Sequence, residues 1–266
     1  MKSAVKVTSE SLFAVLFPSD CRICQSPLMS ISRLPVCEAC LAKMLPLEGL
    51  LCRVCGEKLF SAHLLAEDGP LCGLCRRVRP EFLRAVAYGA YEGELRELIH
   101  LFKYSGIKPA GAVLARLLGG AIGQLALQND LVLIAVPLWS GKRKTRGFNQ
   151  SEAIAKAFVS LQTAKSIQLD TATLVRTRET ASQTGLTRRQ RRANVRGAFA
   201  VIAPERIRGR RVLVIDDVMT TGTTVNECAR VLRRAGAKEI FVATVARATK
   251  EVESVRPSVA AAHGGN

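Results

Sequence analysis

Eight of the nine cysteines in this 266-residue chain fall into four C-x2-C pairs, Cys21/Cys24, Cys37/Cys40, Cys52/Cys55 and Cys72/Cys75. So short a link turns both sulfurs toward one point, the knuckle geometry of a tetrahedral zinc thiolate site. A disulfide framework is the competing reading, and it needs an oxidising compartment reached through a signal peptide. The apolar stretch "SLFAVLF" follows Glu10 closely and runs into Pro18 and Asp20 without a small-residue cleavage site, so no secretion signal is expected. A reducing cytoplasm is therefore the expected location, with all eight paired cysteines as ligands of two structural zinc ions. Pairing neighbours in sequence closes loops of 12 and 16 residues, and interleaving them closes 27 and 31. The entropic difference is about 1 kcal/mol, too small to choose between the schemes. Closed four-thiolate sites leave no open coordination position, so the metal is expected to support structure or partner binding and not metal catalysis.

Lys and Arg number 39 against 22 Asp and Glu, a formal charge of +17. That balance favours polyanionic partners such as phosphorylated metabolites, nucleic acid or anionic lipid, without choosing among them. The longest uncharged part of the apolar middle, Leu117 to Asn129, falls short of the roughly 18 residues that a spanning helix needs. No membrane span is expected.

Cysteine density divides the chain. Residues 1–80 form a Cys-rich module with a short lead, "RRVRP" at Arg76 to Pro80 reads as its exit, residues 81–248 form the larger domain, and the tail 249–266, short of large apolar residues, is expected to be disordered. Beyond Phe82 apolar runs alternate with helical patterns. Leu114, Leu117, Leu118, Ile122 and Leu125 fit one helix face, "LVLIAVPL" from Leu131 a buried strand, and Ser151 to Leu161 a helix. "RVLVIDD" from Arg211 and "IFVATVAR" from Ile240 are further strands, with a helix from Val225 to Ala235 between them that stops at Gly236. The alternation predicts an α/β domain with a parallel sheet covered by helices on both faces, and a ligand crevice beyond the carboxyl ends of its strands.

"VLVIDDVMTTGTTV", Val212 to Val225, stands at such an end. Gly222 lets the backbone approach a ligand, Thr220, Thr221, Thr223 and Thr224 offer hydroxyls, and a helix N-terminus adds free amides and partial positive charge. That combination cradles a phosphate. It has neither the lysine nor the spacing of a Walker P-loop. Asp216 and Asp217 would repel the same phosphate, so they face hydroxyls or a cation, such as a ribose or a magnesium ion beside a diphosphate. The bland alternative is an acidic N-cap after a core strand. Taken whole, the stretch resembles the 5-phosphoribosyl-1-diphosphate (PRPP) motif of type I phosphoribosyltransferases, which implies that fold for the larger domain and PRPP with Mg²⁺ as its ligands.

Other segments narrow the resemblance. "CRIC", "CEAC", "CRVCGEKL", "CGLC", "YEGELRELIHLFKYSG", "VPLWSGKRKTRGFNQ" and "LVRTRETASQTGLTRRQRRANVRGAF" follow one another, over about residues 12 to 247, as in the ComF/GntX family. Its members are similar to a double zinc-ribbon module joined to a type I phosphoribosyltransferase domain, and several are tied to DNA uptake in bacterial competence. The resemblance implies that the loop with Lys142, Arg143, Lys144 and Arg146 holds a diphosphate, with Arg146 and Asn149 the best candidates in "RGFNQ"; a solvated basic loop is the plain alternative. It also implies that the arginine-rich segment from Arg176 to Arg196 is a flexible hood over PRPP, with Gln183, Arg188, Arg192 and Asn194 facing the ligand beside Asp216 and Asp217. The alternative is a disordered basic loop that touches nucleic acid.

No general acid or base stands out, and loss of magnesium diphosphate needs mainly electrostatic stabilisation. His100 and Lys103 share one face of the helix expected over "LIHLFKYSG"; such pairs are as a rule partly exposed, with Lys103 a further candidate for a phosphate contact. Cys228 is expected to be a buried helix residue and not a nucleophile. Two functions of different class result: transfer of a phosphoribosyl group from PRPP to an unknown acceptor, or PRPP sensing and single-stranded DNA binding alongside other DNA-uptake proteins. Aromatic residues make up only 5% of the chain, and no stacking platform for bases is evident. Nucleobase salvage lacks a recognisable base pocket.

Overall fold

The computed structural model describes residues 19–28, 32–60, 65–66, 69–127, 131–162, 167–181 and 185–249. The predicted disordered tail lies almost wholly outside them, as does the apolar lead before Pro18.

The cysteine-rich part is two copies of one unit. In the first, Cys21 and Cys24 sit in a tight hairpin, with the Gln25 amide donating to Cys21 O at 2.8 Å, and Cys37 caps the short helix α1 (Glu38–Ala42) by accepting from the Cys40 amide. In the second, the Gly56 amide donates to Cys52 O at 2.8 Å and Cys72 caps α2 (Gly73–Arg77) through the Cys75 amide. A short antiparallel pair, β1 (Leu65–Ala66) and β2 (Gly69–Pro70), lies between its two knuckles. The repeat is legible as "CRICQSPL" against "CRVCGEKL". The fifth position of each needs a left-handed backbone, supplied by Gln25 (φ +63°) and by Gly56 (φ +67°).

The larger domain follows as β3 (Arg84–Ala90), α3 (Gly93–Tyr104), α4 (Ala110–Gly123), β4 (Leu131–Ala135), α5 (Ser140–Arg146), α6 (Gln150–Leu161), β5 (Ile167–Asp170), β6 (Leu174–Arg176), α7 (Arg188–Val195), β7 (Phe199–Val201), β8 (Arg211–Met219), α8 (Thr223–Arg234) and β9 (Glu239–Arg247). The five-stranded sheet has the order β3-β9-β8-β4-β5 and every pairing in it is parallel, while β6 and β7 form a separate antiparallel pair. This is the expected α/β architecture. Alternate residues of β4 and β8 feed opposite faces: Leu133 and Leu213 pack with Leu98, Leu114 and Ile154 of α3, α4 and α6, whereas Val132 and Val212 pack with Val225, Cys228 and Leu232 of α8. Burying each such side chain contributes roughly 1.5–3 kcal/mol. Among the described residues no helix is long and apolar enough to cross a membrane.

The ribbons close the sheet at β3. Ala85 N donates to Val54 O at 2.7 Å, and Tyr88 Oη donates to Met44 O at 2.8 Å. The first ribbon's Cys21, Cys40 and Met44 join the core on the α3/α4 face, and the second ribbon's Cys52, Val54, Cys72 and Cys75 join the α8 face. Gly89 of β3 has no room for a side chain, since a Cβ there would lie 2.8 Å from Leu45 O and from Leu95 Cδ2.

One local expectation is corrected. The basic segment after β4 is the helix α5 and not an open loop, because nothing from Ser140 to Arg146 interrupts helical backbone before Gly147 ends it at φ +80°.

Candidate functional site

The cysteines form two clusters, Cys21/Cys24/Cys37/Cys40 and Cys52/Cys55/Cys72/Cys75, with all four sulfurs of each within 4.8 Å of one another. Neighbours in sequence therefore pair, which decides between the two schemes left open by chain entropy. A tetrahedral Zn–S bond of ~2.3 Å requires sulfurs about 3.8 Å apart. Cys21 Sγ and Cys40 Sγ lie 3.9 Å apart, Cys24 Sγ and Cys37 Sγ 3.6 Å, and Cys55 Sγ and Cys72 Sγ 3.7 Å. Backbone amides of Cys37, Cys40 and Cys75 donate to sulfur at 3.4 Å, as thiolates require. The donor sets fit zinc.

The second centre lies at the carboxyl end of β8. Four consecutive buried residues, Val212 to Ile215, carry the nine-residue strand through the core, covered on both faces, and deliver Asp216, Asp217 and Met219 at its end. Gly222 follows in the left-handed region, φ +73°, and caps α8. A cavity of about 400 Å³ opens there, lined among others by Asp216, Asp217, Thr220, Gly222, Thr223 and Thr224. The Thr221 and Thr223 hydroxyls are hydrogen-bonded to each other at 2.7 Å. Four of the five expected cradle residues and the expected acid pair thus face one space, whereas Thr221 lines the neighbouring cavity on the other side of the turn.

The two carboxylates differ in environment. Asp217 is buried and pairs with Lys103 Nζ at 2.8 Å. Lys103 comes from the end of α3, whose Leu95, Leu98, Ile99 and Phe102 form the buried stripe that fixes the helix against the sheet. Burial works against the ammonium charge, but Asp217 more than offsets it and holds the Lys103 pKa above its usual value. Lys103, a candidate phosphate ligand in the sequence, rests here on a carboxylate. Asp216 Oδ1 accepts from Ser151 Oγ at 2.8 Å and from the Asp217 amide at 3.0 Å. Burial, reinforced by the Asp217 charge, pushes its carboxyl up to about 7. At neutral pH the pair therefore carries less than two full charges.

Residues 12–77 match the double zinc ribbon domain and residues 144–259 the phosphoribosyl transferase domain. The DNA utilization protein YhgH of Escherichia coli O157:H7 is 34% identical to this chain over 229 residues, covering 85% of this chain and 95% of that protein. This chain belongs to the ComF/GntX family. Competence protein F of Haemophilus influenzae is 32% identical over 206 residues, 74% of this chain and 84% of that protein. Competence protein ComFC of Streptococcus pneumoniae is 27% identical over 160 residues, 59% of this chain and 65% of that protein.

The remaining residues that the ComF/GntX pattern singles out are placed unevenly. Lys142, Arg146 and Asn149 lie outside the lining of the 400 Å³ cavity. Arg146 donates to Gln150 Oε1 at 3.1 Å and lies over the Tyr104 ring, 5.0 Å from its centroid. Asn149 caps α6 by accepting from the Ser151 amide at 3.2 Å, and its amide donates to Val136 O at 3.0 Å. It thereby ties the start of α6 to the end of β4 and sets Ser151 against Asp216.

In the arginine-rich segment Gln183 lies outside the described residues, and Arg188 is described only as the first residue of α7. Thr187 caps α7 in a box with Gln190, a signal legible as "TRRQ". Asn194 clamps Ala181 on both sides, accepting from its amide at 3.1 Å and donating to its carbonyl at 2.9 Å. Arg192 is exposed and lines a different cavity. The arginine that reaches the cradle is Arg191, whose Nη1 donates to Thr220 Oγ1 at 3.0 Å while Nε holds Leu186 O at 2.9 Å. Sequence reasoning missed Arg191, Ser151 and Tyr91, which lines the same cavity and hydrogen-bonds His100 Nε2 at 2.9 Å. Cys228 is buried on α8, as expected.

Proposed function

We propose that the cavity at the end of β8 binds PRPP with Mg²⁺ and that the chain transfers a phosphoribosyl group to an acceptor. The observation that carries this is the placement of two carboxylates and a left-handed glycine turn at a helix N-terminus around one space. In this reading the Thr220–Thr224 turn takes the 5-phosphate, and Asp216 and Asp217 take ribose hydroxyls or hydrated metal. Arg191 sits where it adds positive charge beside the phosphate. Mg²⁺, when bound, offsets charge on the diphosphate leaving group. Lys103 holds Asp217 in position through their 2.8 Å ion pair. Titration calorimetry with PRPP and Mg²⁺, followed by diphosphate release across a panel of acceptors, tests both halves of the proposal.

The raised Asp216 pKa gives this reading a pH signature. A ligand that needs the ionised carboxylate must expel its proton below pH ~7, so Mg²⁺-dependent PRPP affinity rises by up to about tenfold per unit between pH 6 and 7 and levels off above. Asp216→Asn flattens that profile. A profile that is level in the native protein removes the carboxylate from the ligand. The same shift acts on stability with the opposite sign: the folded state holds a proton that the unfolded state has released, so stability falls as pH rises from about 4 to about 7.

A second reading, single-stranded DNA binding, is favoured by the exposed Arg189, Arg192 and Arg196 on and after α7, and by the DNA utilization and competence names of the relatives. It predicts that the logarithm of affinity falls with the logarithm of salt by about 0.7 per phosphate contacted, and that Arg189→Ala with Arg192→Ala flattens the slope. Binding that ignores both changes moves DNA off this surface.

A further inference from the structure

Arg247, the last residue of β9, has a side chain only 5% exposed. Its Nη2 donates to Cys55 Sγ at 3.5 Å and lies 3.7 Å from the Glu57 carboxylate, while Nε and Nη1 are buried without a hydrogen-bond partner. Hydrogen bonding therefore does not account for the burial of this guanidinium, and one carboxylate at 3.7 Å makes no close pair with it. A charge taken out of water is costly unless opposite charge lies beside it. The second cysteine cluster supplies that charge. Four thiolates around Zn²⁺ leave two net negative charges, and the sulfur that Nη2 touches is one of the four. The attraction acts on the whole delocalised cation, so it does not depend on Nε or Nη1 being reached.

The backbone of the same residue belongs to the other centre. Arg247 pairs in register with Met219 of β8, the Ala248 amide donates to Met219 O at 3.0 Å, and the Tyr91 amide donates to Arg247 O at 2.8 Å. Met219 in turn lies against the cradle, since a Cβ on Gly222 would meet its Cε at 3.4 Å. The second ribbon and the turn face each other across a cavity of about 550 Å³, whose wall includes Cys55, Cys75, Thr221 and Gly222. Arg247 joins the two sides, by its side chain to the sulfur and by its backbone to Met219.

We propose that Arg247 is the charge partner of the second zinc centre and a positioning residue for the cradle. Its guanidinium offsets the charge of the thiolates, and the zinc centre in return fixes the end of β9 against which the turn from Met219 to Thr224 is built. The link stands whether or not the cradle takes PRPP.

The test uses the metal-loaded full chain. Partners of metal ligands are worth about 10–100-fold in metal affinity, so Arg247→Gln is expected to lower the zinc affinity of one of the two sites at least tenfold in competition with a chelating dye. Arg247→Lys keeps a positive charge in place and recovers most of that loss, which a lost packing contact would not. Cadmium-113 resonances of the cadmium-exchanged chain identify the site: the first ribbon's signal is the one lost in Cys24→Ser, and Arg247→Lys moves the other signal alone. Amide exchange read by mass spectrometry is expected to quicken from Met219 to Val225 in Arg247→Gln and to stay native in the first ribbon. Native zinc affinity in Arg247→Gln, or an equal loss in Arg247→Lys, overturns the charge partnership. If Arg247→Gln misfolds, Arg247→Lys decides: an unmoved second-ribbon signal overturns the partnership, and native exchange over the turn beside a moved signal overturns the link to the cradle.

Discussion

Cys75→Ser is expected to release one of two zinc ions and to unfold the second ribbon together with the sheet edge beneath it. All four cysteines of that cluster are buried, and they pack in the same core as Val132, Ile134, Val212 and Val214 of the central strands. The ribbon is therefore part of the domain's own interior, and its loss opens that face to water. Zinc binding in isolated finger peptides contributes about 10–16 kcal/mol, comparable with the 5–15 kcal/mol that holds a whole domain. A loss on the order of 5 kcal/mol follows, enough to leave little folded protein. Cys24→Ser is the contrast: Cys24 is exposed on the first hairpin, so its loss weakens one site while most of the core stays covered. Metal content by mass spectrometry and thermal unfolding by circular dichroism measure both. A Cys75→Ser protein that keeps two zinc ions and melts with the native chain would falsify the structural role of this cluster.

The three central strands β4, β8 and β9 were legible because each carries its own apolar run, and the cradle because its chemistry is concentrated in one short stretch; the edge strands β3 and β5 were not, since "IQLD" has no such run and its strand is set by pairing with β4. The two ribbon copies were legible too, in "CRICQSPL" and "CRVCGEKL", but only if the residues between and after the cysteines are compared. What the sequence conceals is set by distant contacts. Nothing near Lys103 announces Asp217, which lies more than a hundred residues on and meets it only when α3 docks on the sheet. In α7 the pattern "RRQRRANV" holds no large apolar stripe, so spacing could not tell Arg191, which turns to the cradle, from Arg192, which turns to the other cavity. Asn149 shows the converse. Its place just before a helix carries the mark of an N-cap, and its amide makes those bonds.

The acid pair and the glycine turn are separable by substitution, and each is expected to lower PRPP affinity at least tenfold. Asp216→Asn keeps the shape and loses the charge, and a charge-assisted hydrogen bond is worth about 1.5–3 kcal/mol, or tenfold and upward in affinity. It should leave the fold intact or slightly firmer at pH 8, since it removes a carboxylate that burial and the Asp217 charge already disfavour. Asp217→Asn behaves differently. It strands Lys103, whose side chain is only 13% exposed, and breaking such a pair from one side costs about 3–5 kcal/mol. A double replacement therefore mixes lost binding with lost stability, and Asp216→Asn alone is the informative variant. Gly222→Ala tests the cradle. A Cβ there would meet nothing closer than Met219 Cε at 3.4 Å, so there is room, but the left-handed backbone costs an alanine about 1–2 kcal/mol. The turn relieves that strain by moving its amides, and the phosphate loses its seat while the core behind Val225 stays packed. Calorimetry with PRPP and Mg²⁺, read beside melting temperature and zinc content, distinguishes the cases. Affinity unchanged in both Asp216→Asn and Gly222→Ala would mean that PRPP, if bound at all, is held elsewhere, and the transfer reaction would go with it.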